Sequence, residues 1–228
     1  MATRALDQAT GPRGDTRSRR YDPAETRLRV LAAANMLFST KGFAATGTAD
    51  IAREADVSEG SIFYHFGSKQ NLLVELGRRY GEQMIEAIQQ GDALEDLEPG
   101  IIIPRVFEFC RTNSMWEAVA VVAPQSGCDI ARAKHDKSGD AEPFYHAAKT
   151  TTTAWIIKQM TVAFARRGIT DINIPLAGSF THHVVGDAIE AIMNADNDAD
   201  RAAIEAETVR FVRAACGYIG PVKAAGGA

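Results

Sequence analysis

The chain has 228 residues, 46% hydrophobic and 24% charged, with 25 Lys and Arg against 29 Asp and Glu and a formal net charge of −4. That length buries a core in one or two domains, and the composition excludes collagen-like, wholly disordered and disulfide-stapled classes. Bulk charge argues against a nucleic-acid binder, no window approaches the roughly 18 apolar residues of a membrane span, and three scattered cysteines without an apolar leader predict a reduced, cytoplasmic setting.

The charge is unevenly spread. Residues 1–80 hold 12 Lys and Arg against 9 Asp and Glu, and within them residues 21–80 balance at 7 against 7. The excess therefore belongs to residues 1–21, which read as a flexible basic arm. Such an arm touches phosphate or a minor groove, or is a dispensable terminus. Residues 81–228 are acidic.

Asp22-Pro23-Ala24-Glu25 supplies a cap, a proline at the first helical position and an early acid, so a helix begins there. Leu28, Leu31, Ala32, Met36 and Phe38 keep the 3.6 period as far as Ser39, and Gly42 ends the helix. Thr48 then caps a short segment, Ala49 to Ala55, and Ser58 caps another, Glu59 to Phe66; between them Asp56 stands where a sharp turn needs positive φ. Two short helices at this spacing form a helix-turn-helix, with Ile51, Ala55, Val57 and Ile62 inward. Ser68 caps a long helix, Lys69 to Gln90, which outreaches a three-helix unit and serves as a connector. Gly91 to Gly100 reads as an acidic linker. Helices are predicted over Ile102–Val122, Glu142–Arg167, Pro175–Asn194 and Asp200–Ile219, with a polar loop from Pro124 to Asp140. The fold class is all-α.

Pro23 to Leu76, centred on AANMLFSTKGFAATGTADIAREADVSEGSIFYHFGSKQNLL, resembles the DNA-binding domain of TetR-family transcriptional regulators. The stretch SEGSIFYHFGSKQNLL is the specific part. The resemblance implies a homodimer in which an N-terminal three-helix domain, 22–68, reads double-stranded operator DNA. A helical effector-binding and dimerisation domain, 69–220, follows it and starts with the connector; 221–228 is a flexible tail. A helix offered N-terminus first to the major groove sets side chains against base edges, while hydroxyls and amides at helix starts hold phosphates. Thr48 and Ser58 are caps that also face the DNA backbone, and Gly60 permits close approach. By resemblance Ser61 and Tyr64 contact phosphate or bases, His65 lies beside them, and Lys69 matches the family's phosphate-contacting lysine.

An effector cavity in a helical domain is apolar with a few polar groups. Phe107, Cys110, Met115, Trp116 and Val119 are candidates from one predicted helix, Phe144, Trp155 and Phe164 from the next, with Asn113, His146, Thr152 and Gln159 as polar partners. Each also suits a packed core. They imply an apolar or amphipathic effector. His182 and His183 are adjacent, point about 100° apart and do not readily share one ion, and the loop cluster of Cys128, Asp129 and His135 is too loose for one. Neither a metal nor a cofactor is expected. Phe180, Val184, Ile189 and Ile192 on one late helix and Phe211 and Ala215 on the other suit a dimer interface, with Gly178 and Gly186 permitting close approach across a two-fold axis.

These observations predict a transcriptional repressor released from its operator by a small molecule. Two alternatives stand beside it: a DNA-binding protein without an effector, and a helical ligand-binding enzyme with a vestigial helix-turn-helix. The enzyme reading lacks a nucleophile elbow, phosphate loop, paired acids or HExxH motif.

Overall fold

The computed structural model describes residues 22–113 and 142–218. Within them lie eight α-helices and one 3₁₀ turn, and no strand. The basic arm, the loop carrying Cys128, Asp129 and His135, and residues 221–228 lie outside the described residues, as do Met115, Trp116 and Val119.

Helix α1 spans Pro23–Lys41, with the Asp22 carboxylate accepting from the Ala24 and Glu25 amides at 2.8 and 3.4 Å. It stops at Gly42, which takes φ 85° and donates to the Phe38 carbonyl. Helix α2, Thr48–Glu54, starts one residue earlier than the sequence suggests: its cap is Gly47, whose amide donates to Asp50, and Thr48 is the first helical residue. The hydroxyl that fixes this corner belongs instead to Thr46, which is buried and donates to the Gly42 carbonyl at 2.7 Å. Asp56 turns the chain at φ 52°, and Ser58 caps α3, Glu59–Phe66, by accepting from the Ser61 amide at 3.2 Å. Ile51 and Ile62, both fully buried, seal α2 and α3 onto Val30 and Ala34 of α1.

Helix α4, Lys69–Gln89, is 21 residues or about 31 Å long. Ser68 caps it and Gln90 ends it in a left-handed conformation. The segment expected as a linker is fastened down. A 3₁₀ turn, Leu94–Asp96, buries the following Leu97 completely, and the Leu97 carbonyl accepts from Gln159 Nε2 at 2.6 Å. Arg166 donates to the Glu95 carbonyl, Arg105 to the Ile88 carbonyl and Asp92, and Arg213 pairs with Glu98 at 2.8 Å. Three arginines and a glutamine, all distant in sequence, thus convert an acidic loop into a structural strap. Helix α5, Pro99–Thr112, starts directly from it, three residues before the expected Ile102.

Three long helices complete the body: α6 (Glu142–Arg167), α7 (Ile174–Met193) and α8 (Asp198–Ala215). Asn173 and Asn197 cap the last two. The most extensive helix pairing is α4 on α6, followed by α6 on α7 and α7 on α8. A methyl at Gly77 would lie 2.2 Å from the Phe144 carbonyl oxygen, and one at Gly81 2.9 Å from Thr151 Cβ, so the α4–α6 contact is backbone against backbone. Around that seam Tyr80 stacks edge-on against Phe109, with centroids 5.3 Å apart, and tilts over Phe144 at 5.9 Å. Gly178 makes a similar approach inside the chain, onto Ile157 of α6, and so does not face a two-fold axis. None of the helices within the described residues is long and apolar enough to cross a membrane.

Candidate DNA interface and ligand cavity

Helix α3 is held by two residues and shown by the rest. Ile62 and Phe66 are buried, while Tyr64 is 79% exposed and Phe63 48%. Gly60 is exposed too, and a methyl there would meet nothing nearer than Ser58 Oγ at 3.8 Å. No internal contact requires a glycine at that position. Ser61 shares a 2.8 Å hydrogen bond with the Ser58 hydroxyl, and His65 lies edge-on to Tyr64 at 5.1 Å. Gly60, Ser61 and Tyr64 thus lie on one short helix beside the Ser58 cap. Phe63, on the same helix, is half exposed.

Two expected contact residues are engaged within the chain. Thr48 donates its hydroxyl to the Glu59 carboxylate, tying the start of α2 to the start of α3. Lys69 donates to the carbonyls of Phe43 and Thr46 at 2.9 and 3.0 Å and sits 4.2 Å over the Phe43 ring. Its ammonium spends two of its three N–H groups closing the α1–α2 corner.

A residue that sequence reasoning missed governs α3 from behind. Arg27 of α1 donates to the His65 carbonyl at 3.1 Å, stacks 4.5 Å over Phe66 and pairs with Glu75 of α4 at 2.8 Å. Glu75 also holds Arg78 at 2.8 Å, and Arg79 approaches within 3.6 Å. The hydrogen bonds from Arg78 and then Arg27 outweigh partial burial and pull the Glu75 carboxyl down to about 2. Only the Glu75-to-Arg78 and Glu75-to-Arg79 spacings were readable, as neighbours on a helix face; Arg27 lies 48 positions away.

The second site is a cavity of about 550 Å³ enclosed by α4 to α8. Met84 and Ile88 of α4, Ile103 and Val106 of α5, and Trp155 and Met160 of α6 form much of its apolar wall. Gln159, Thr152 and His146, expected as polar partners, line it. Of the aromatic and sulfur candidates within the described residues, Trp155 alone does so. Phe107, Cys110, Phe144 and Phe164 are at most 4% exposed and belong to the packed core, where Phe144 faces Tyr80 rather than open space. Asn113 is not on the wall; it ends α5, donating to the Phe109 carbonyl. Cys216 replaces Cys110 as the cavity thiol, and burial pushes it up to about 11, so it stays protonated at neutral pH.

One end of the cavity is polar. His182 shares a 3.4 Å contact with the buried Thr152 hydroxyl, and burial together with the nearby Lys149 lowers its pKa to about 4. Lys149 donates to His183 Nε2 at 3.1 Å, while His183 Nδ1 donates to the Ser179 carbonyl at 2.7 Å. The two adjacent histidines therefore have separate partners, and no cluster of three metal-ligating side chains occurs among the described residues.

On the outer face of α7 and α8, Phe180 is 62% and Phe211 59% exposed, with Ala215 exposed and Val184 half-buried nearby. Ile189 and Ile192, expected at an interface, turn inward and are buried in the chain's own core. The stripe on α7 is wide enough to serve two surfaces, and these two residues sit on its inner edge.

Residues 30–76 match the family model described as bacterial regulatory proteins, tetR family. That N-terminal segment is of the tetR type. It is 39% identical over 74 residues to the HTH-type transcriptional regulator YvkB of Bacillus subtilis strain 168, covering 32% of this chain and 39% of that one. It is 29% identical over 150 residues to the HTH-type transcriptional repressor BdcR of Escherichia coli K12, covering 63% and 70%. The chain thus spans about two fifths of the length of the first curated TetR-family relatives it matches. Among solved structures, the multidrug binding protein EbrR complexed with imidazole superposes with a TM-score of 0.57 at 20% identity, covering 88% of this chain and 96% of that one. That likeness establishes a shared fold.

Proposed function

We propose that this protein is a sequence-specific, DNA-binding transcriptional repressor of the TetR family, acting in the cytoplasm and released from its operator by a small apolar or amphipathic molecule. The observation that carries the reading is α3: a helix pinned from inside by Ile62, Phe66 and Arg27 that offers Gly60, Phe63 and Tyr64 to solvent. A surface phenylalanine and tyrosine beside a glycine without internal purpose suit base edges and a close backbone. In this reading residues 22–68 are the DNA-reading domain, and 69–220 bind the effector and dimerise. Ser58, Ser61 and Thr48 lie along the phosphates, Lys69 gives its remaining N–H to one, and His65 orients Tyr64. Phe180, Phe211, Val184 and Ala215 form the homodimer face, so that two α3 helices reach successive major grooves.

The cavity supports the effector half; among the matched curated relatives two are repressors and one an activator by name, and the fold neighbour EbrR is a multidrug binding protein solved with imidazole. A packed body without a cavity would have favoured DNA binding alone. The test is selection of a binding sequence from random duplexes followed by gel shift of the winner. Tyr64→Ala should weaken that complex about 10- to 100-fold, as loss of a base or phosphate contact does, while leaving thermal unfolding unchanged. Selection of no sequence, or unchanged affinity in Tyr64→Ala, refutes the assignment.

A further inference from the structure

The cavity is lopsided in a way that bears on what fills it. Its α4, α5 and inner α6 walls are aliphatic and aromatic, and the one charged cation among its described lining residues, Lys149, stands at the polar end beside His182 and His183. Lys149 has no carboxylate partner among the described residues: its ammonium donates to His183 Nε2, an acceptor fixed in that role because Nδ1 donates to Ser179. The imidazole positions the ammonium without neutralising it, and two of the three N–H groups are left to give. Two carboxylates, Glu142 and Asp187, also reach the cavity lining, and both are exposed. Neither pairs with Lys149, whose ammonium is held by His183. A cation without a carboxylate partner at the end of an apolar hollow offers a fixed anion a charge-assisted hydrogen bond while the anion's apolar body fills the hollow.

Resting on the effector reading above, we propose that the cavity takes an amphiphile with an apolar body and a single carboxylate head, held by Lys149 with His183 as the residue that positions it. Size is consistent. At roughly 30 Å³ for a water-sized atom, the 550 Å³ hollow has room for about 18 such atoms, enough for a medium-chain or two-ring acid.

Three probes of one shape and different heads test this by calorimetry at pH 7.5: decanoate, decan-1-ol and decylamine. Decanoate is expected to bind about tenfold tighter than decanol, and decylamine more weakly than either. Lys149→Met should remove the decanoate preference and leave decanol unchanged, Lys149→Arg should keep it, and His183→Ala should reduce it. Lys149 is exposed, so its variants fold. Biphenyl-4-carboxylate in a fourth arm distinguishes an aromatic body from a flexible chain, both within the proposal. Decylamine binding as tightly as decanoate, an unchanged preference in Lys149→Met, or binding of no probe overturns it. Operator release is read separately by gel shift: decanol releasing the DNA as well as decanoate sinks the head group and spares the regulator, whereas Lys149-dependent binding without release does the reverse.

Discussion

Replacing Gly77 by Ala tests whether α4 and α6 meet as closely as described. The added methyl would lie 2.2 Å from the Phe144 carbonyl oxygen and 2.9 Å from its Cα, whereas real methyl carbons keep at least 3.0 Å. The helices must therefore separate by about 0.8 Å at that point, and the obstacle is backbone, so no rotamer change relieves it. Overpacking of this kind costs about 1–3 kcal/mol, and a case without a flexible side chain belongs at the upper end. Helix propensity returns up to about 1 kcal/mol, since alanine is favoured over glycine in a helix interior. A net loss of about 2 kcal/mol remains, or a fall in Tm of roughly 4–8 °C for a chain of this size. Gly60→Ala is the control: nothing lies within 3.8 Å of its methyl, so the same propensity term should raise stability by up to about 1 kcal/mol while weakening operator binding. Scanning calorimetry at one protein concentration reads both. A Tm for Gly77→Ala equal to or above the parent refutes the close approach.

Glu75→Gln should destabilise at neutral pH. A carboxyl held at about 2 instead of 4.5 is worth at most about 3 kcal/mol, and with guanidinium partners 35–44% exposed screening reduces this to about 1–2 kcal/mol. Because the folded value is depressed, the contribution is complete above pH 4.5 and fades as pH falls toward 2, so urea titrations at pH 6.5 and 3.5 should show the gap between parent and variant narrowing; a constant gap would mean the ion pairs carry no weight. Phe180→Glu with Phe211→Glu should make the proposed homodimer monomeric in analytical ultracentrifugation without changing its helical circular dichroism, and a persisting dimer would place the interface elsewhere.

The all-α class and most helix ends were legible because their signals are local: a proline after Asp22, a serine before Glu59 and before Lys69, a left-handed turn at Asp56. The strap at residues 91–98 was not, since its order comes from Arg105, Gln159, Arg166 and Arg213, whose reach no local pattern encodes. The cavity failed for a related reason. Phe107, Phe144 and Phe164 have the composition of a pocket wall and of a core alike, and only the tertiary arrangement separates Trp155 from them. On α7 the helical period was clear, yet the boundary between the inner Ile189 and the outer Phe180 depends on which neighbours cover the stripe.

The balanced charge of the DNA-reading segment acquires a mechanical explanation from these contacts. Of the cations between residues 22 and 80, Arg27, Arg78 and Arg79 converge on Glu75, Arg53 pairs with Asp50, Arg29 approaches Asp56, and Lys69 holds two carbonyls. Only Lys41 and one N–H of Lys69 are left for phosphate, about two contacts per subunit and four per dimer. Each neutralised phosphate contributes about 0.9 to the slope of log affinity against log salt, so protein lacking residues 1–21 should show a slope of roughly −4 on its operator. The five arginines of that arm should steepen it when present. A slope of −8 or beyond without the arm would mean that the Glu75 and Asp50 pairs open on the duplex. With so little drawn from phosphates, operator affinity has to come from the exposed face of α3 and from the pairing of two subunits, and the modest non-specific affinity that follows itself favours discrimination between operator and bulk DNA.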